Sequence, residues 1–173
     1  NAGVQLAMIE GADRTSGFLD DIAKIFRYNV KSLNRVVKIK DEIDMVRAYG
    51  NLFNVRFGDA ITFEYDIDCN ALGYEVPPLI VQPFVENSTI HGIGNFENGG
   101  KIKISLVKTV NGANIIIEDN GVGISEEIIS KVLGGHQLES KKSGHTTGIG
   151  IYNVVQRLKL LFGTDDVIDI KSD

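Results

Sequence analysis

The stretch that decides the fold is residues 101–123, which read KIKISLVKTVNGANIIIEDNGVG. Apolar and polar residues alternate from Lys101 to Val107, and this period of two predicts a strand with one buried face. Asn111-Gly112 is a strong signal for a tight hairpin turn, and Ala113 to Ile117 is a short apolar run. The stretch therefore predicts two neighbouring antiparallel strands, followed by the acidic and glycine-rich run of residues 118–123.

Helices and further strands flank this hairpin. Apolar residues spaced three and four apart predict helices, and alternation predicts strands. The predicted elements are a helix over Phe18–Leu33, a helix over Ile39–Phe57, a strand over Ile61–Ile67, a helix opened by Pro77-Pro78, helices over Ser125–Leu133 and Ile149–Phe162, and a final strand over Val167–Ile170. Intermixed helices and strands with one hairpin predict an α/β fold, a two-layer sandwich over a mixed sheet.

Polar residues indicate how these elements begin and where the longest loop lies. Asp41 and Glu42 fall in the first turn of the helix over 39–57, where negative charge suits the helix dipole. Ser125 is placed to cap the helix that follows it. Residues 134–147 hold glycines, lysines, serines and histidines but little apolar material, so they are predicted to form a mobile loop.

Composition narrows the class of protein. The chain has 173 residues, enough for one domain, with 18 Lys and Arg against 23 Asp and Glu and a formal net charge of −5. Without a long basic block, nucleic acid is not an expected partner. The single cysteine, Cys69, and three scattered histidines lack the spacing of a zinc site. No apolar run is long enough to cross a membrane.

The first cluster that carries chemistry is the segment 82–92, QPFVENSTIHG. On a helix, Glu86, Asn87 and His91 lie near one another, with Asn87 and His91 four residues apart. An Asn carbonyl oxygen is a suitable ligand for Mg²⁺, which keeps waters and is bound jointly by protein and phosphates. The alternative for this segment alone is an ordinary polar helix face with Gly92 as its cap.

Two glycine-containing clusters follow. Residues 118–124, EDNGVGI, come after an apolar strand and before a capped helix, so they do not complete a hairpin. A buried carboxylate there can accept a hydrogen bond from an exocyclic amine, and the glycines let a ligand approach the backbone. Residues 148–153, GIGIYN, open a helix whose free N–H groups attract anions. This pattern matches neither the dinucleotide fingerprint nor a Walker loop.

In this order and spacing, the three clusters resemble the N, G1 and G2 boxes of the GHKL ATP-binding superfamily. More narrowly, residues 77–92, 118–123 and 148–158 are similar to LytS/YesM-type sensor histidine kinases. The upstream segments Phe26-Arg27-Tyr28, 42–49 and 56–59 are similar to the stretch that precedes the N box in that family. The resemblance covers nearly the whole chain.

The resemblance implies a Bergerat-type sandwich that binds Mg-ATP between the N-box helix and the loop before G2. Asn87 matches the Mg²⁺ ligand, and Asp119 matches the carboxylate that reads the adenine amino group. His91 matches a position near the phosphates, and Glu86 an N-box acid whose suggested role is to orient the incoming imidazole. The remaining implied nucleotide-binding residues are Gly121, Gly123, Gly148, Gly150 and Asn153. Residues 134–147 match the ATP lid, in which Lys141 and Lys142 are either phosphate contacts or ordinary solvated charges.

The implied activity is that of a sensor histidine kinase, an enzyme of two-component signal transduction. Its γ-phosphoryl group passes from ATP to a histidine and then to an aspartate of a response regulator receiver domain. Such transfer needs mainly positioning and charge neutralisation. The family implies a homodimer of the full-length protein and a cytoplasmic domain of a bacterial inner-membrane sensor, joined to the membrane only through segments outside this chain.

The sequence departs from the family in three places. The family's Pro-His-Phe-Leu-type phosphoacceptor helix is absent, and His91, His136 and His145 all lie in the catalytic half. We therefore expect residues 1–34 to be a remnant of the dimerisation and phosphoacceptor helices and residues 35–173 to be the ATP-binding catalytic domain. The chain also stops before the Gly-Thr strand that usually closes the sheet. Ile90 stands where a basic residue is common.

Other functions remain open from the sequence. An ATP-binding sensor module would bind nucleotide without phosphotransfer. A gyrase-type or MutL-type GHKL ATPase would carry a glutamate base four residues before the Mg²⁺-binding Asn, where this chain has Pro83. An anti-sigma-type serine kinase would label a protein serine, and a purely structural domain that uses the Phe18–Leu33 stripe would bind no nucleotide.

Overall fold

The computed structural model describes residues 2–31, 36–92, 99–134 and 149–172. Helices and strands are intermixed along these ranges. The helices are α1 (Ala2–Ile9), α2 (Asp13–Lys31), α3 (Ile39–Phe57), α4 (Gln82–Asn87), α5 (Glu126–Leu133) and α6 (Ile149–Phe162). The strands are β1 (Val37–Lys38), β2 (Ile61–Ile67), β3 (Glu75–Val76), β4 (Gly100–Lys108) and β5 (Ala113–Asp119). A single 3₁₀ turn covers Cys69–Ala71, and a π-helical turn, Ser88–Gly92, extends α4.

The main sheet has three strands in the order β2-β4-β5. Strand β4 pairs parallel with β2, from Ile61 opposite Gly100 to Ile67 opposite Leu106. It pairs antiparallel with β5, which confirms the predicted hairpin. Strands β1 and β3 form a separate antiparallel pair of two residues each. The sheet is therefore mixed, as predicted.

Helices cover one face of this sheet. Ile102, Ile104 and Leu106 of β4 are at most 1% exposed and belong to the same apolar cluster as buried residues of α3, α4 and α6. The opposite face carries polar side chains, including an ion pair of 2.8 Å between Lys101 Nζ and Glu64 Oε1. This arrangement is the predicted two-layer α/β sandwich.

The N-terminal helices pack against the sandwich through α3. The Asp21 carboxylate on α2 accepts hydrogen bonds of 2.9 Å from Asn51 of α3 and from Lys24. Tyr28, near the end of α2, is part of the main core. The predicted helix is confirmed, although it begins at Asp13 rather than Phe18. Helix α1 was not predicted, because residues 2–9 are apolar without a helical period.

Two expectations about local structure are wrong. Residues 77–81 are not helical, because Leu79 takes a left-handed conformation with φ of 57° and the helix begins only at Gln82. Residues 167–172 form no strand among the described residues; Ile168 and Ile170 instead pack against the small cluster of α5 and α6. Asp41 and Glu42 do lie in the first turn of α3, as predicted, and the Glu42 side chain is fully buried there.

The other boundaries agree with the sequence. Helix α3 ends at Gly58, whose φ of 69° suits glycine, and α6 has the predicted bounds. Ser125 occupies the N-cap position of α5 but makes no side-chain capping hydrogen bond. Apart from Gly134, the predicted loop over 134–147 lies outside the described residues.

Candidate functional site

The N-box cluster lies on α4 and the π-helical turn that follows it. Pro83 is in the first turn of α4, where a missing N–H costs nothing. The Glu86 carboxylate, which is half-buried, accepts a short hydrogen bond from the Gln82 side-chain amide. The half-buried Asn87 side chain makes no hydrogen bond to any residue that the structure describes. Its amide oxygen is therefore available to a ligand.

One hydrogen bond joins the N box to the G1 box. The hydroxyl of Ser88, which follows Asn87 and is 4% exposed, donates to Asp119 Oδ2 over 2.6 Å. The other oxygen, Oδ1, accepts from the Gly121 N–H over 2.9 Å. The expectation of a buried carboxylate is wrong, since Asp119 is exposed where β5 ends. Because a carboxylate has about four lone-pair sites, acceptor capacity remains for a ligand amine.

The rest of the G1 box shapes the backbone around Asp119. The Asn120 side chain bridges to the start of β4, since its Oδ1 accepts from Lys101 N over 2.8 Å and its Nδ2 donates to Gly99 O over 3.1 Å. Gly123 has φ of 75°, which strongly favours glycine. Helix α5 then begins at Glu126, so Asn120-Gly121 is not a hairpin turn.

The G2 box lies beside the N box. A Cβ added to Gly150 would lie 3.4 Å from Pro83 Cβ, so the first turn of α6 contacts the first turn of α4. Asn153, one turn later, is exposed. Gly148, Lys141 and Lys142 lie outside the described residues, and the description of His91 covers its backbone but not its side chain.

Two buried contacts at the ends of the N box were not predicted. The hydroxyl of Thr89, a residue 1% exposed, donates to the Glu86 carbonyl over 2.9 Å and lies 3.0 Å from the Tyr49 hydroxyl of α3. Burial raises the pKa of Tyr49, so its hydroxyl stays protonated. At the other end, the Glu42 carboxylate accepts the N–H groups of residues 79–81. A signal was present, because Glu42 falls three residues after Ile39 on the apolar face of α3.

The described residues fit a magnesium nucleotide better than a metal bound by protein alone. Within residues 2–31, 36–92, 99–134 and 149–172, no group of three or more His, Cys, Asp or Glu could bind a metal ion. Mg²⁺ commonly takes one or two protein oxygens and fills its shell with phosphates and waters. The unpaired Asn87 oxygen suits that arrangement.

None of the described helices is long and apolar enough to span a membrane.

Comparison with known proteins places the chain in a family. A family model described as histidine kinase-, DNA gyrase B- and HSP90-like ATPase matches residues 78–172, more than half of the chain. The chain belongs to this ATPase family. A second model, described as histidine kinase, matches residues 1–61. The two matches in this order confirm the predicted class, the catalytic ATP-binding domain of a sensor histidine kinase.

Individual relatives within this ATPase family agree. "Sensor protein LytS" of Oceanobacillus iheyensis is 33% identical over 93% of the chain, and "Sensor histidine kinase YpdA" of Escherichia coli is 32% identical over 87%. "Sensor histidine kinase/phosphatase LytS" of Staphylococcus aureus is 29% identical over 93%. The predicted resemblance to LytS-type kinases is thus confirmed. The chain spans about a quarter of the length of these relatives, 26–27%.

Proposed function

We propose that this chain binds Mg-ATP and transfers its γ-phosphoryl group to a histidine outside the chain, from which the receiver domain of a response regulator takes it. The observation that carries the proposal is the 2.6 Å hydrogen bond between Ser88 and Asp119. It brings the residue next to the proposed Mg²⁺ ligand into contact with the proposed adenine-reading carboxylate. An adenine and a metal-bound phosphate chain would therefore occupy one continuous site.

Each box has a role in this proposal. Asp119 accepts a hydrogen bond from the adenine amino group while Ser88 and Gly121 bind its carboxylate. Asn87 provides a protein oxygen to Mg²⁺, which neutralises phosphate charge. Glu86 orients the incoming imidazole, and His91 lies near the phosphates. The glycines at 121, 123, 148 and 150 let the nucleotide approach the backbone, and Asn153 completes the nucleotide-binding set on α6.

The chemistry requires little of the protein beyond placement. The imidazole nitrogen attacks the γ-phosphorus as the bond to the β–γ bridging oxygen breaks, and ADP leaves. In such a loose transition state, catalysis comes chiefly from alignment and from charge stabilisation. An adenine anchor, a metal ligand and the positive end of the α6 dipole supply these functions.

We further propose that residues 1–34 continue the dimerisation and phosphoacceptor helices and that residues 35–173 form the catalytic unit. The full-length protein would be a homodimer, and this domain would work at the cytoplasmic face of a bacterial membrane. The match of residues 1–61 to the histidine kinase model and the relatives named sensor proteins support these statements.

The test is calorimetric titration of ATP into the chain with Mg²⁺ and with a chelator. Asp119→Ala should abolish measurable binding, and Asn87→Ala should remove the Mg²⁺ dependence while leaving metal-free binding. Glu118→Ala and Asn114→Ala are matched controls, since both residues are exposed on β5. Equal binding by Asp119→Ala and the unaltered chain would contradict the proposed adenine contact.

Phosphotransfer is tested in a longer chain that carries a phosphoacceptor histidine ahead of this domain. With ATP labelled at the γ-phosphorus, we expect an acid-labile label on that histidine, which an added receiver domain then removes. An acid-stable label would indicate a serine kinase. Steady hydrolysis without labelling would indicate an ATPase, and binding without either would indicate an ATP sensor.

A further inference from the structure

The Glu42 carboxylate is bound in a backbone nest. It is fully buried on α3, and it accepts the N–H of Leu79 over 2.7 Å and those of Ile80 and Val81 over 2.9 Å each. Consecutive N–H groups converge on one anion where the backbone combines left- and right-handed conformations in a nest. Leu79 supplies the left-handed residue, with φ of 57°, and Val81 is right-handed.

This conformation is strained and needs support. A non-glycine residue in the left-handed region is disfavoured unless surrounding contacts determine it. Leu79 receives such contacts on both of its polar groups, because Arg157 of α6 also donates to its carbonyl over 2.9 Å. The N-box helix begins three residues later, at Gln82. The carboxylate of Glu42 therefore holds the segment directly before α4, the helix that carries Asn87.

Helix α2 reaches the same point through Tyr28. The Tyr28 hydroxyl donates a short hydrogen bond to Glu42 Oε1 and accepts from the Leu79 N–H over 3.0 Å. Burial, with the Glu42 carboxylate second, raises the pKa of Tyr28, so the hydroxyl remains a donor at neutral pH. Removing this hydroxyl leaves Glu42 one donor short and Leu79 without its second acceptor. Tyr28, a residue of the N-terminal helices, thus contacts both Glu42 and the segment that precedes the N-box helix.

We propose that Glu42 is a positioning residue for the nucleotide site and that Tyr28 makes this positioning depend on helix α2. The proposal rests on the proposed function, since it explains what aligns the residues that bind Mg-ATP. Neither side chain touches the nucleotide in this account. Both act through the backbone of residues 79–81.

The expected effect on the Kd for Mg-ATP depends on the fraction of molecules in which residues 79–81 are aligned. When only a fraction of molecules is competent to bind, the apparent Kd rises by the inverse of that fraction. Glu42→Gln replaces an accepting oxygen with an amide that faces backbone donors, so we expect the Kd for Mg-ATP to rise about tenfold. Tyr28→Phe removes one neutral hydroxyl, and we expect a rise of about threefold.

Matched variants separate positioning from general stability. Glu64→Gln removes a surface carboxylate on β2 whose one ion-pair partner among the described residues is Lys101. Tyr65→Phe removes a hydroxyl that forms no hydrogen bond in the part of the chain that the structure describes. Ile104→Val should lower the free energy of unfolding by about as much as Tyr28→Phe does. All three controls should keep the Kd of the unaltered chain within about twofold.

Hydrogen exchange provides a readout that is independent of nucleotide binding. In Tyr28→Phe and Glu42→Gln, the amides of Leu79, Ile80 and Val81 should exchange at least about tenfold faster while β4 amides remain protected. If the unaltered chain binds no ATP, the proposed function fails and exchange alone decides the positioning claim. Unchanged exchange at these amides would overturn that claim, as would equal weakening of ATP binding by Ile104→Val. If Glu42→Gln does not fold, Tyr28→Phe carries both tests.

Discussion

Replacing Ser88 with alanine tests the contact that joins two boxes of the ATP site. Ser88 is 4% exposed, and its hydroxyl lies 2.6 Å from Asp119 Oδ2. A hydroxyl that donates to an ionised carboxylate contributes about 1.5–3 kcal/mol when water cannot take its place. Asp119 is exposed, so water replaces the lost donor in the variant. We therefore expect the free energy of unfolding to fall by only about 1 kcal/mol.

The expected loss of nucleotide affinity is of similar size to this loss of stability. In Ser88→Ala the carboxylate of Asp119 keeps one fixed donor, the Gly121 N–H at 2.9 Å. Its side chain regains rotamer freedom that binding must remove, at a cost of about 0.5–1.5 kcal/mol. This corresponds to an increase in Kd of about 2–10-fold. Because Asp119 is proposed to read the adenine, ADP and ATP should lose affinity by the same factor.

Calorimetry with ADP and with ATP measures this change, and urea unfolding measures stability in parallel. Ser105→Ala is the matched control, because Ser105 is 5% exposed on β4 and its side chain has no hydrogen bond within the described ranges. It should leave both affinities unchanged. The reasoning is refuted if Ser88→Ala binds ADP as tightly as the unaltered chain while Asp119→Ala does not bind. Asp119 would then be oriented without Ser88.

Two further predictions concern stability. Burial raises the pKa of Tyr65 to about 12, whereas a tyrosine in an unfolded chain titrates near pH 10. A raised folded-state pKa gives stability that is complete below pH 10 and is lost as the pH rises through the folded value, so the urea midpoint should fall between pH 10 and 12. Tyr65→Phe should fall less steeply over that interval, and equal slopes would contradict this assignment. Ile104→Ala, at a fully buried position of β4, should lower the free energy of unfolding by about 2–5 kcal/mol, measured by urea at pH 7.5. A loss below 1 kcal/mol would show that Ile104 is not a core residue.

Patterns within one element could be predicted from the sequence, and contacts between distant elements could not. The alternation in β2 and β4 and the apolar face of α3 arise from fixed geometric periods, so these elements appear in the sequence itself. The helix predicted from Pro77-Pro78 fails because Leu79 binds Glu42, a residue thirty-seven positions away. Propensity alone gives no sign of such a partner.

The candidate site shows the same division. Asn87, Asp119 and Gly150 were selected by their order along the chain, and the structure brings the boxes that contain them together through Ser88 and Pro83. The contribution of Ser88 was missed because a serine in a polar segment resembles ordinary surface composition. Its burial depends on β5 lying beside the π-helical turn, which is a property of the folded chain.

Helix α3 acts as a template for the N box. A helix of six residues such as α4 is too short to be stable alone, so tertiary contacts must determine its position. Glu42 contacts the segment before α4 and Tyr49 contacts the turn after it. These two residues lie seven positions apart on α3, a rise of about 10 Å, so a single helix contacts the chain on both sides of α4. Helix α3 can therefore determine the position of the helix that presents Asn87, and Tyr28 of α2 contacts the segment before α4 at Leu79.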